Sequence, residues 1–248
     1  MTAPTRRERL RTAAVSEIKD GARRLLVTGG PQAISLRAIA RDMGMTAPAI
    51  YRYFPSLEAL VIELASDVFD ELRGHIEAAR DAAGDDPVDH LAAMARAFRD
   101  WSVRHPVEFA LIFGTPVPGM ATMEDDCLDE NHPAARFGAV FMRTFLDLWR
   151  RAPFPTPPPE LINRRLAACL EPLRRSQGEV PVEVAYVFLS GWTMLYGMVS
   201  MEVFNHLKWA VSEPEALFET ELDTFLRQLT ADAGRAGAHP AASTTDRH

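Results

Sequence analysis

The sequence predicts an all-α fold, a three-helix helix-turn-helix head followed by a larger helical body, on three observations. Apolar residues recur at spacings of three and four along the chain, and no stretch alternates as a half-buried strand does. Glycine and proline interrupt that periodicity at helix-length intervals. Charge is also divided: residues 1–60 hold ten Lys/Arg against five Asp/Glu, a net +5, so with −7 for the whole chain the other 188 residues carry −12.

The first helix runs from about Arg7 to Val27, with Leu10, Ala14, Ile18, Ala22 and Leu25 on one stripe and Gly29-Gly30-Pro31 as its stop. A second, short helix opens behind Ser35 as N-cap and places Leu36, Ile39, Ala40 and Met43 on one face. It closes at Gly44, where a left-handed residue is needed. The third follows at once. Thr46 caps it, Pro48 lies in its first turn, where N–H groups lack partners anyway, and Ile50 and Phe54 point inward. Pro55-Ser56 ends it, and a long amphipathic helix runs from Leu57 to about Ala83, broken by Gly84-Asp85-Asp86-Pro87.

Further helices are expected near 88–104, 106–113, 134–151, 160–175, 181–207 and 214–231. Two irregular stretches remain: Gly114 to Pro133, and the cluster Pro153, Pro155, Pro157, Pro158, Pro159, which reads as a stiff connector. The division is a head at residues 1–56, a body at 57–231 and a small, polar tail at 232–248 expected to be disordered.

Helices as short as those between Ser35 and Phe54 cannot bury their own apolar faces, so they need the first helix and the start of the fourth to complete a core. Ile39, Ala40, Met43, Ile50 and Phe54 supply it, which leaves Ala47, Pro48, Tyr51 and Arg52 facing outward with Thr46 at the start. The run Ser35-Leu36-Arg37-Ala38-Ile39-Ala40-Arg41-Asp42-Met43-Gly44, then Thr46 to Ile50, then Tyr51-Arg52-Tyr53-Phe54-Pro55-Ser56 and the following Glu58-Ala59-Leu60, resembles the tetracycline-repressor (TetR) family over residues 7–64. Beyond it, Gly191-Trp192 through Gly197 is similar to the penultimate helix of such regulators. The resemblance implies a transcriptional regulator whose third helix enters the major groove. It also implies a dimer, and an effector in the C-terminal domain that releases DNA through a tilt of the helix from Leu57. One position departs: Leu57 stands where the family usually has lysine, so a phosphate contact is missing there, although Ser56 and the adjacent N–H groups suit a phosphate.

The residues themselves specify how such a head reads a duplex. Arg52 suits guanine, whereas Ala47 and Pro48 can only contact thymine methyls or set the distance of approach. Ser35, Arg37, Thr46, Tyr51, Tyr53, Ser56 and the N-terminal arginines offer hydrogen bonds or charge, mostly to phosphates, which position a protein without identifying sequence. Direct readout is therefore expected to be sparse, with DNA shape contributing to specificity. A basic head on an acidic body fits phosphate neutralisation at one end and repulsion elsewhere.

In the body, Val184 to Met201 is a run of 18 uncharged residues, long enough to raise a membrane span. Ser190, Gly191, Thr193, Gly197 and Ser200 interrupt it and no basic flank sets a topology, so a helix buried on several sides is expected instead. Gly191, Tyr196, Val199, Leu222, Phe225 and Leu226 are the expected dimer contacts. Phe98, Trp101, Phe109, Phe113, Phe141, Phe145, Met194 and Met198 are the candidate lining of an effector site, with Trp149 beside them, which favours a bulky, mostly apolar small molecule.

Catalysis is not expected: no Gly-x-Ser-x-Gly, phosphate-binding glycine loop or HExxH is present. Asp125, Asp126, Cys127, Asp129, Glu130 and His132 lack metal-ligand spacing. No cofactor or metal is expected. Two cysteines, Cys127 and Cys169, form no disulfide framework, and the first 30 residues lack a signal-peptide core, so a cytoplasmic protein is expected. The alternatives are an architectural DNA-binding protein without ligand control and an all-α enzyme.

Overall fold

A computed structural model of the chain describes residues 5–114, 132–176, 178 and 180–230. Among the described residues every regular element is helical, as the periodicity predicts. The α-helices are α1 Arg6–Gly29, α2 Leu36–Asp42, α3 Ala47–Ile50, α4 Leu57–Asp81, α5 Pro87–Arg104, α6 Pro106–Phe113, α7 Pro133–Arg151, α8 Arg164–Ser176, α9 Val182–Val203 and α10 Pro214–Thr230. Short 3₁₀ turns occupy Pro31–Ala33 and Pro159–Leu161. Residues 115–131, with Cys127 and most of its acidic neighbours, and the tail from 231 lie outside the described residues.

Two compact units emerge: Met1–Ala79 with Arg96–Val140, and Arg80–Ala95 with Phe141–His248. In the first unit, Ile18, Ala22 and Leu26 of α1, Ile39 and Ala40 of α2, Ile50 of α3, Phe54 and Leu60 are almost wholly buried. This is the small core that the short helices need. The expected stripe of α1 differs at its ends. Leu10 is 63% exposed, and Leu26 rather than Leu25 is fully buried. The helix extends past the edge of its core, which periodicity alone does not reveal.

Gly44 has φ +65°, the left-handed turn that joins α2 to α3. Ser35 and Thr46 occupy the N-cap positions with extended backbone, yet neither side chain makes the expected cap hydrogen bond. At α3 there is a reason: Pro48 has no N–H to give, and the Ala49 N–H goes to the Thr46 carbonyl at 2.9 Å. Helix α3 is also shorter than expected. After Ile50 the chain tightens, with Arg52 N–H on the Ala49 carbonyl and Tyr53 N–H on the Ile50 carbonyl, and Pro55 forbids continuation.

Deeper in the first unit an aromatic cluster fills the space. The Phe113 ring lies 5.5 Å from Phe69, 5.8 Å from Phe98, 5.0 Å from Phe109 and 5.7 Å from Phe137, centroid to centroid. These are the separations at which edge-to-face and tilted pairs attract.

The second unit packs α7, α9 and α10. Val184, Ala185, Gly191, Leu195, Val199 and Val203 form one buried stripe of α9. Gly191 gives the Phe225 ring of α10 its room there, since a Cβ would fall 2.4 Å from that ring and displace it. The proline-rich connector is more than a spacer: Phe154 is buried, its ring 4.9 Å from both Phe145 and Trp149. Helix α9 is long and apolar enough to cross a membrane, the one such helix among the described residues. Within the chain it is buried along that one stripe.

Candidate nucleic-acid interface and apolar hollow

The outer surface of the head is built by its inward one. With Ile50 and Phe54 held in the core, the intervening turn exposes Thr46, Ala47, Pro48, Tyr51 and Arg52, while Tyr53 is half-buried. Arg37 stands exposed on α2, and Ser35 is half-buried at its start. Thr46, Ser35, Arg37, Tyr51 and Arg52 make no side-chain hydrogen bond or ion pair among the described residues. Their donors and acceptors are therefore directed at solvent or at a ligand. Ser56 is different: its Oγ accepts the Ala59 N–H at 3.1 Å and caps α4. Leu57, in the place where lysine was expected from the resemblance, is 40% exposed and brings no charge.

Several contacts that sequence reasoning missed hold this head in place. The guanidinium of Arg11 sits 5.7 Å above the centre of the Tyr53 ring. Further along α1, Lys19 pairs with Asp67 at 2.5 Å. Arg23 grips Glu71 of α4 with Nη1 at 2.6 Å and Nη2 at 3.2 Å, and its Nε donates to the buried Glu108 of α6 at 3.1 Å. Trp101 Nε1 donates to Glu71 at 3.2 Å, and His105 stacks on Trp101. The hydrogen bond from Arg23 is the main cause that holds the Glu71 carboxyl below its ordinary value, helped by the Arg23 charge and Trp101 against partial burial. A lone glutamate inside the apolar run Pro106–Phe113 was the available signal for this network.

The eight expected effector residues fall in two places. Phe98, Trp101 and Phe109 are buried in the first unit and Phe113 joins their cluster. Phe141, Phe145 and Met194 line a hollow in the second unit, and Met198 is half-buried outside that lining. The hollow lies among α5, α7, α9 and α10, and its lining is almost entirely apolar. It measures about 490 Å³ with its open mouth, but the space inside it open to water is about 50 Å³. That is room for a few waters. Phe188 and Trp192 complete its aromatic wall and were not anticipated.

The expected dimer contacts also divide. Gly191, Leu222, Phe225 and Leu226 line the same hollow, and Val199 is fully buried in the chain's own packing. Tyr196 is half-buried, stacked on Trp192 at 6.2 Å. The face of α9 opposite its buried stripe carries Glu183 in the first turn and then Tyr186, Ser190, Thr193, Gly197 and Met201, uncharged from Tyr186 onward, with Met201 42% exposed. No group of three His, Cys, Asp or Glu residues is placed to hold a metal ion among the described residues.

Comparison with known proteins agrees with this architecture. Residues 18–64 match a family model described as bacterial regulatory proteins of the tetR family, and residues 91–225 match one for the tetracyclin repressor-like C-terminal domain. The HTH-type transcriptional regulator Rv1816 of Mycobacterium tuberculosis is 41% identical over 105 residues, 42% of this chain and 45% of that protein. The regulator Mb1846 of Mycobacterium bovis matches over the same extent. The chain thus spans about half the length of the curated relatives it matches. The crystal structure of SCO4313 superposes with a TM-score of 0.69 at 34% identity, covering 90% of this chain and 99% of that one. A Rhodococcus sp. RHA1 protein of unknown function shares the fold, with a TM-score of 0.65 at 19% identity over 87% of this chain and 94% of that one. With a family model over more than half its length and a structural relative matched almost end to end, the chain belongs to the TetR family of bacterial regulatory proteins.

Proposed function

We propose that this regulator binds a palindromic operator as a homodimer in the cytoplasm, acts as a repressor, and is released from DNA by a bulky, mostly apolar small molecule. The observation that carries the reading is the outer surface of the head. Thr46, Tyr51, Arg52, Arg37 and Ser35 project or border there without partners, on helices too short to exist for their own sake. Arg52 is the base-reading side chain, Ala47 and Pro48 set the approach, and Tyr53 and Ser56 border the phosphates.

The dimer is proposed to form through the outer face of α9 from Tyr186 to Met201, which carries no charge beyond Glu183 in the first turn, since a solvated helix face ordinarily carries more. Gly197 and Thr193, not the buried Gly191, are then the close-approach positions. The effector site is proposed to be the hollow walled by Phe141, Phe145, Trp192, Met194 and Phe225. Its small free interior means that a bulky ligand must move the wall, and a ligand that prefers a rearranged body is what release requires. A hollow with an aromatic, uncharged lining favours ligand control over a purely architectural role, and regulation over catalysis.

The test is a selection of duplexes from a randomised library by the full chain, followed by challenge with a panel of hydrophobic compounds. The reading predicts an inverted-repeat site, lost on Arg52→Ala and vacated in the presence of at least one apolar compound. Selection of no sequence over background would overturn it.

A further inference from the structure

The hollow of the second unit is too small for the guest that its walls suit. An apolar cavity of about 150 Å³ takes a benzene-sized molecule, and the space inside this one is about 50 Å³. A side chain has to withdraw before a ring enters. Five aromatic residues stand in the wall, and four of them are held by other rings. Phe141 lies 5.6 Å from Trp192, Phe145 lies 5.5 Å from Phe188 and 4.9 Å from Phe154, and Trp192 stacks on Tyr196 at 6.2 Å. Phe225 makes no ring contact among the described residues, and it is half-buried where Phe141 and Phe145 are buried.

What receives Phe225 is the absence of a side chain. A Cβ at Gly191 would fall 2.4 Å from its Cζ and 2.9 and 3.0 Å from the two Cε atoms, so the ring points tip first into the notch that this glycine leaves in α9. Nothing directional fastens it there, because a phenyl ring is held by dispersion alone, which is small for each atom pair. Part of the ring already reaches the surface, and a change of rotamer withdraws it without moving α10.

We propose that Phe225 is the gate of the hollow, and that a neutral aromatic compound takes the room its ring vacates on leaving the Gly191 notch. This rests on the reading of the hollow as the effector site. The chemical class follows from the lining: no charged side chain is among its residues, and Trp192 brings their one side-chain N–H. A carboxylate or ammonium inside would be left without a partner, whereas the faces and edges of the wall answer another ring. With the gate closed in most molecules, apparent affinity falls by the fraction that is open.

The test compares the full chain with Phe225→Leu, which keeps the site apolar and shortens the gate, by titration with N-phenylnaphthylamine, a neutral dye that brightens in apolar surroundings. Phe218→Leu is the control, buried on the same helix and outside the lining. Phe225→Leu is expected to bind the dye about tenfold or more tightly than the wild type, since an open state populated at about 0.1–10% lowers apparent affinity by that fraction. Phe218→Leu should match the wild type. Anilinonaphthalene sulfonate, which adds a charge to the same rings, should bind Phe225→Leu about tenfold or more weakly than the neutral dye. Equal dye affinity in the wild type and Phe225→Leu, or the same gain in Phe218→Leu, would overturn the gate alone. Equal affinity for the sulfonate would overturn the neutral class. Dye binding by neither the wild type nor Phe225→Leu would overturn the hollow as effector site and this inference with it.

Discussion

Arg23 places its donors on two carboxylates from different helices, and Glu108, 5% exposed, has its charge answered there. Cutting a guanidinium back to an amide would leave that buried carboxylate without its cation. Breaking a fully buried pair costs about 3–5 kcal/mol. Arg23 is itself about one-third exposed, so Arg23→Gln is expected to lower unfolding free energy by about 2 kcal/mol, with urea denaturation as the measurement. Adding Glu108→Gln should cost much less than the sum of the two single changes, since each alone removes the same interaction. Glu71 adds a pH signature. Its folded value is depressed by the Arg23 hydrogen bond, so the stability it contributes is present above the unfolded value, about 4.3, and is lost as pH falls through the folded value. The denaturation midpoint should therefore drop on acidification below that range, and Glu71→Gln should flatten the drop.

Helix α9 gives opposite expectations at two glycines on its opposite faces. A methyl at Gly191 would meet the Phe225 ring at 2.4 Å, so Gly191→Ala should destabilise the chain by about 1–3 kcal/mol, read by thermal melting. At Gly197 nothing lies within 4 Å of the added atom, and alanine there should favour the helix by up to about 1 kcal/mol. A dimer seam on that face reverses the second expectation at the level of assembly: Gly197→Ala, and more strongly Thr193→Arg, should shift light-scattering mass towards the monomer. A wild-type chain that is already monomeric at micromolar concentration would contradict the seam. These faces mark the limit of what was legible in the sequence. Gly44, Pro55, the Gly84–Pro87 break and the 3.6-residue period were enough to place the helices within a few residues, because turns and caps are local chemistry. The period shows which residues share a face of α9 but not which face meets the chain's own core. The period alone therefore does not reveal that Gly191 and Val199, expected at a partner subunit, lie on the inner stripe. Nor does it reveal that the core under α1 begins only a turn after Leu10, and Arg23, a charge adjacent to Ala22, gives no sign of partners 48 and 85 residues away.

At the scale of the molecule, the chain joins a basic head to an acidic body, +5 over residues 1–60 against −12 over the rest. That distribution orients the approach to a polyanion: the head is attracted, and the body is repelled unless it points away. Which side chains face outward between Ser35 and Ser56 was legible, because a four-residue helix framed by Gly44 and Pro55 leaves few of them free to do so. The hollow was only partly so, since Phe98 and Phe109 are as aromatic as Phe141 and Phe145 and only packing separates core from lining. The claim on which the account stands is that the surface around Arg52 engages double-stranded DNA. Fluorescence anisotropy of a labelled duplex carrying the sequence next to the protein's own coding region, titrated with the full chain at rising KCl, measures it directly. The account predicts saturable binding that weakens steeply with salt and is lost on Arg52→Ala. Affinity that is absent, or unmoved by either salt or that substitution, would contradict it.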